Sequence, residues 1–210
     1  MLIRGLILIS VLFAPSTLLA GGPNVSIKTN LGEIIVQLDS EKAPITVSNF
    51  QRYVRSGSYD GTIFHRVIPG FMVQGGGHYK DLSQAPEGVQ IYNEAANGLK
   101  NTRGTIAMAR MNLIDSASRQ FFINVSDNGF LDYQSGSSCT RDQEKAQLAA
   151  QSRGMFKPSS CKSYGYAVFG RVVEGLDVVD SIEVVKTGNQ QGLSDVPIKP
   201  VVIEKMSILD

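Results

Sequence analysis

The sequence has little of what most hydrolases, redox enzymes and metalloproteins depend on. Its 210 residues contain two cysteines and two histidines. That is too few for a four-ligand structural zinc site without carboxylates, and the paired spacings of zinc motifs are absent. This argues against a metal enzyme. No GxSxG, Walker loop or HExxH occurs, and Gly75-Gly76-Gly77 lacks the GxGxxG pattern, so no cofactor is implied. An excess of either charge is missing too. The chain has 20 Lys+Arg against 19 Asp+Glu, a formal net charge of +1, and therefore no broad footprint for nucleic acid.

A long apolar run is also lacking. The one from Leu6 to Ala14 is too short for a stable membrane anchor, which needs about 20 residues. With Arg4 before it and Leu18-Leu19-Ala20 after it, the run reads as a secretory signal, residues 1–20. The remaining chain, 21–210, has the length of one domain with a sizeable core. Export predicts an oxidising compartment, where Cys139 and Cys161 could pair as a disulfide. Two free thiols are the alternative, and without a CxxC spacing a thiol-exchange role is not expected.

What is present is glycine, 21 residues, and many short alternating segments. Val25, Ile27 and Thr29 alternate with polar residues, as do Ile34, Val36 and Leu38 after Asn30-Leu31-Gly32, which predicts a hairpin. Val47, Phe50 and Val54 share a helical face that opens at Pro44 and closes at Gly57. Strands are expected near 62–67, 71–74, 105–110, 120–125, 166–173 and 201–208. A second helix is expected around Leu176, Val179 and Ile182, with polar loop between it and the last strand. Many short strands with two main helices predict an antiparallel barrel rather than a βαβ sheet. Residues 134–163 differ in composition and read as an insertion. Thr140 and Gln143 form a capping box there, ahead of a helix from Arg141 to Arg153 that stops at Gly154. A bond between Cys139 and Cys161 would tie its ends together, worth roughly 3 kcal/mol on a chain-entropy argument.

His65 and His78 read as surface or structural residues. The distinctive block is Phe64-His65-Arg66-Val67-Ile68-Pro69-Gly70-Phe71-Met72-Val73-Gln74-Gly75-Gly76, with Gln120-Phe121-Phe122-Ile123 of similar mix. At these residues the chain resembles the cyclophilin family of peptidyl-prolyl cis/trans isomerases. The match continues, in family order, through Thr105–Ala109, Ser118–Asn124, Phe130-Leu131-Asp132 and Val168–Gly175.

The resemblance implies a mainly β fold, a closed eight-stranded antiparallel β-barrel capped by two α-helices, here with a short helical insertion. It implies an enzyme that accelerates rotation about Xaa-Pro bonds without metal or cofactor. Arg66, Phe71, Gln74 and Phe122 are carried over as catalytic residues, Arg66 being the donor to the prolyl nitrogen. Met72, Ala109, Arg110, Gln120, Phe130, Leu131 and Tyr166 are carried over as substrate-binding, with the backbone of Ala109 and Arg110 pairing with the peptide. Phe130, Tyr166 and Arg110 stand where the best-known eukaryotic members have Trp, His and Asn, and look like the exported bacterial branch. Loss of the indole N–H at 130 implies weak binding of cyclosporin. The expected partners are proline-containing peptides and unfolded exported proteins, for a periplasmic monomer. The insertion falls between Leu131 and Tyr166, and is expected either to flank the substrate groove or to be a tolerated surface loop. A proline-binding module or chaperone without turnover is the alternative, which an intact Arg66 disfavours.

Overall fold

The computed structural model describes residues 22–136, 139–154 and 162–209. The expected signal at 1–20, Cys161 and parts of the insertion lie outside them. The elements are β1 (Asn24–Thr29), β2 (Gly32–Leu38), α1 (Pro44–Arg55), β3 (Thr62–Ile68), β4 (Met72–Tyr79), β5 (Thr105–Met108), β6 (Phe121–Asn124), α2 (Arg141–Gln151), β7 (Val168–Glu174), α3 (Leu176–Glu183), β8 (Thr187–Gln190), β9 (Leu193–Pro197) and β10 (Val201–Leu209). Eight strands close into a barrel in the order β1-β10-β3-β4-β6-β5-β7-β2, with every pairing antiparallel. Closure leaves the barrel without an open edge. The fold is the one the resemblance implies. No helix among the described residues is long and apolar enough to cross a membrane.

Alternation along the strands fills the interior. Val25, Ile27, Ile34, Val36, Val73, Ile106, Met108, Phe121, Ile123 and Phe169 point into one buried cluster. Phe50 of α1 packs its ring on Tyr59, Phe121 and Phe169 at centroid distances of 5.3, 5.6 and 5.1 Å. α1 starts at Pro44 as expected, but Ala43 gives it no side-chain cap. The Glu94 carboxylate caps it instead, accepting from the Ile45 and Thr46 N–H groups at 3.1 and 2.8 Å. A carboxylate there also complements the positive end of the helix dipole.

Two features differ from the sequence expectation. Residues 187–197, read as polar loop, form a separate two-stranded sheet, β8–β9. Gly75–Gly77, beyond the strand expected at 71–74, lie inside β4. The capping box of α2 is realised: the Gln143 N–H donates to Thr140 Oγ1 at 3.2 Å and the Thr140 N–H to Gln143 Oε1 at 2.9 Å. Cys139 is disulfide-bonded, and the chain's other cysteine, Cys161, lies outside the described residues.

Candidate active site

The outer face of the barrel carries the site, and strand register builds it. Arg66 on β3 pairs with Gln74 on β4, Gln74 with Phe122 on β6, Phe122 with Ala107 on β5, and Ala107 with Val168 on β7. One cross-strand row thus runs from a cation through an amide to an apolar surface.

That row depends on a bulge. Side chains alternate along a strand, so Phe64 and Arg66 should share a face. Phe64 is in the core. The register slips between them: Phe64 faces Gly75 and Arg66 faces Gln74, leaving His65 as the extra residue. A bulge of this kind re-aims the side chains beyond it. Arg66 therefore emerges on the outer face with its side chain 43% exposed, while Val67 returns to the core.

Met72, Ala107, Phe122, Leu131 and Val168 form a second buried apolar cluster, with Phe71, Ala109 and Tyr166 half-buried against it. Phe130 is 66% exposed and stacks on Phe71 at 5.6 Å, making one wall. Tyr166 packs edge-on to Phe122 at 5.9 Å and carries the Arg110 guanidinium 4.6 Å over its ring, making the other. Asn128 holds the wall from behind, donating to the Phe71 carbonyl at 2.8 Å. The row's polar end opens into a groove of about 400 Å³ lined by His65, Arg66, Gln74, His78, Arg110, Gln120 and Leu193–Asp195. Gln74 Nε2 donates to Gln120 Oε1 at 2.8 Å, which fixes both amides beside Arg66.

All eleven residues carried over as catalytic or substrate-binding lie in this cluster, its walls or this groove. One expectation is narrowed. The Ala109 N–H is already bonded to the Gln120 carbonyl at 2.9 Å, so pairing of Ala109 with a peptide falls to its carbonyl oxygen. The Arg110 side chain is drawn to the adjoining loop, donating to the Gly165 and Met111 carbonyls at 3.0 Å each. His65 is a buried structural residue, its ring 4.5 Å from that of His78. Burial first, and the His78 ring second, lower its imidazole to about 4.

Nothing in the sequence singles out Asp195. Its carboxylate lies 3.7 Å from Arg66 Nε, and it reaches the site from the β8–β9 sheet. No motif marks it. The insertion docks on the loop that the Arg110 side chain also contacts. Arg141 donates to both Asp115 carboxylate oxygens at 2.8 and 2.7 Å, bonds the Tyr164 hydroxyl, and lies 3.6 Å over the Tyr92 ring. Burial acts to raise the Asp115 carboxyl, but the Arg141 and Asn93 hydrogen bonds outweigh it and hold it below the usual range. Glu144, buried, accepts the Ile114 N–H at 2.8 Å.

Residues 24–208 match the family described as cyclophilin type peptidyl-prolyl cis-trans isomerase/CLD. The peptidyl-prolyl cis-trans isomerase cyp18 of Streptomyces antibioticus is 49% identical over 185 residues, 88% of this chain and 98% of that protein. Peptidyl-prolyl cis-trans isomerase A of Dickeya dadantii is 45% identical over 197 residues, 94% of this chain and 90% of its own. A crystal structure of a Cryptosporidium parvum cyclophilin type isomerase, determined in the presence of the dipeptide Ala-Pro, shares the fold at a TM-score of 0.66. It is 24% identical, with 89% of this chain and 99% of that one covered.

Proposed function

Since the chain belongs to the cyclophilin family and is a peptidyl-prolyl cis-trans isomerase, we propose that Arg66 is its electrostatic centre and that the apolar floor beside it seats the proline ring. The supporting observation is the cross-strand row Arg66–Gln74–Phe122–Ala107–Val168.

The reaction asks for little covalent chemistry. Rotation about an Xaa-Pro bond must overcome a barrier of roughly 18–20 kcal/mol set by amide resonance. A catalyst has to bind the twisted amide better than either planar form. In the twisted state the prolyl nitrogen becomes pyramidal and regains a lone pair. A fixed cationic donor can hydrogen-bond to that pair, and can do so only then. Arg suits this because it stays charged and presents its donors in a planar fork. Met72, Phe122 and Leu131 would seat the ring, with Phe71 and Phe130 on one side and Tyr166 on the other. Gln74 and Gln120 would hold the flanking carbonyl, their mutual hydrogen bond limiting the rotamers lost on binding.

Proline-containing peptides are the ligand class this surface fits, the class to which the dipeptide of the C. parvum structure belongs. The signal-like residues 1–20 and the disulfide-bonded Cys139 support work on unfolded exported proteins in the periplasm. The insertion supports the groove: Arg141 and Glu144 tie α2 to the 113–115 loop next to Arg110. The test is isomerisation of an Xaa-Pro tetrapeptide by the chain and by Arg66→Ala. The variant should fold normally, since Arg66 is outside the core, and kcat/KM should fall roughly 10²–10³-fold, as removal of a preorganised charge-stabilising donor does. A variant as fast as the parent overturns the assignment. For the compartment, the N-terminus of the protein recovered from a Gram-negative host should begin near residue 21 in the periplasmic fraction. An intact Met1 in the cytosol contradicts export.

A further inference from the structure

We propose that Asp195 is a positioning residue for Arg66, holding the guanidinium at the groove from a sheet that is not part of the barrel. The inference rests on Arg66 being the catalytic donor.

The contact is specific in its atom. Asp195 Oδ2 lies 3.7 Å from Arg66 Nε, and the two side chains are 41% and 43% exposed. At 3.7 Å the pair is an ion pair rather than a hydrogen bond, and its place at Nε biases the base of the fork while leaving both Nη groups for a substrate. An exposed Arg held by nothing would sample many rotamers and would have to be ordered in each turnover. An exposed ion pair adds little to folding stability, so stability does not account for its placement.

The backbone points the same way. Asp195 adopts φ 60°, in the left-handed region where non-glycine residues are uncommon. Asp is among the few non-glycine residues that adopt it at modest cost. Here it occurs at the one residue of β9 whose carboxylate meets Arg66. Leu193 and Ser194, just before it, line the same groove as Gln74 and Gln120. The sheet β8–β9 packs on β3, the strand that carries Arg66, so its position is tied to the donor's own strand.

Asp195→Asn separates charge from shape, because Asn tolerates the left-handed region as Asp does. The measurement is kcat and KM on an Xaa-Pro tetrapeptide at low salt and at about 1 M salt, where the Debye length is about 3 Å. The full chain is used, with and without Arg66→Ala. At low salt, kcat should fall about three- to tenfold with KM nearly unchanged, as loss of orientation predicts. The gap should close at high salt, and the substitution should have no further effect in the Arg66→Ala background. Asp195→Gly, which relieves the backbone, should show the same deficit. Parental or faster turnover of Asp195→Asn at low salt overturns the proposal. So does an equal loss in the Arg66→Ala background. Should Arg66→Ala itself turn over normally, the reading of Arg66 fails and this inference with it.

Discussion

Arg66 reaches the groove because one residue, His65, is inserted into β3 without a partner. Glycine does the complementary work on β4. A Cβ at Gly77 would stand 2.5 Å from Gln120 Cδ, closer than real Cβ atoms come, so the Gln120 side chain lies where a residue other than glycine would be. Gly77→Ala should displace Gln120, break its hydrogen bond to Gln74 and lower kcat/KM about three- to thirtyfold, a penalty of the order of one hydrogen bond. The melting temperature should change little, because a flexible side chain moves rather than backbone. Comparing tetrapeptide kinetics with thermal unfolding checks this; a cooperative loss of fold would contradict it. At this scale the site is legible through its motif. The carried-over residues from Arg66 to Tyr166 converge, but neither the bulge nor the close approach at Gly77 can be read from the chain alone, because both depend on cross-strand register.

The elements divide into those that announce themselves and one that does not. Period-two alternation in β1 and β2, and the Val47–Phe50–Val54 face of α1, reflect burial on one side and are readable in the chain alone. The β8–β9 hairpin escapes such a reading because its turn is Gln191-Gly192, with φ of 48° and 82°. Two positive φ values fit a tight hairpin turn, but the usual signal is Asn-Gly or Asp-Gly. Its strands are also mostly polar and half-buried, so no hydrophobic alternation marks them. Asp195 goes unmarked along with the hairpin. The insertion is readable as a capped helix but not as a docked one. Its anchors are a buried carboxylate and a guanidinium that meet a loop some 30 residues away in sequence. Glu144→Ala leaves the Ile114 N–H without its acceptor, at a cost of about 1–3 kcal/mol. Faster proteolysis between 135 and 163, with the barrel's unfolding midpoint nearly unchanged, is expected. Unaltered cleavage would mean that α2 is held by something else.

The barrel as a whole buries one imidazole in a way that links stability to pH. His65 titrates at about 4 in the folded protein against 6.5 for the free side chain. The unfolded chain therefore binds more protons between those values, and folding stability falls as pH drops from about 6.5 to 4. The contribution approaches 3 kcal/mol by pH 4, at about 1.36 kcal/mol per pH unit. Above pH 6.5 it vanishes. Urea unfolding should show the parent losing about 3 kcal/mol more stability than His65→Gln between pH 7 and pH 4. Curves that stay parallel would show that His65 is protonated without cost. An antiparallel barrel is predictable from many short strands with two main helices, whereas its closure is what the family resemblance implies. The number of its strands comes from the family resemblance and not from periodicity.

The central claim is that Arg66 acts on the twisted amide and not on the planar ones. The most direct test is to measure kcat on a proline tetrapeptide, and separately the Kd of a proline peptide, for the parent and for Arg66→Ala. A residue that binds only the transition state should lose kcat, by roughly 10²–10³-fold, with Kd changed less than about threefold. A Kd weakened by the same factor, with kcat intact, would make Arg66 a ground-state contact and contradict the account.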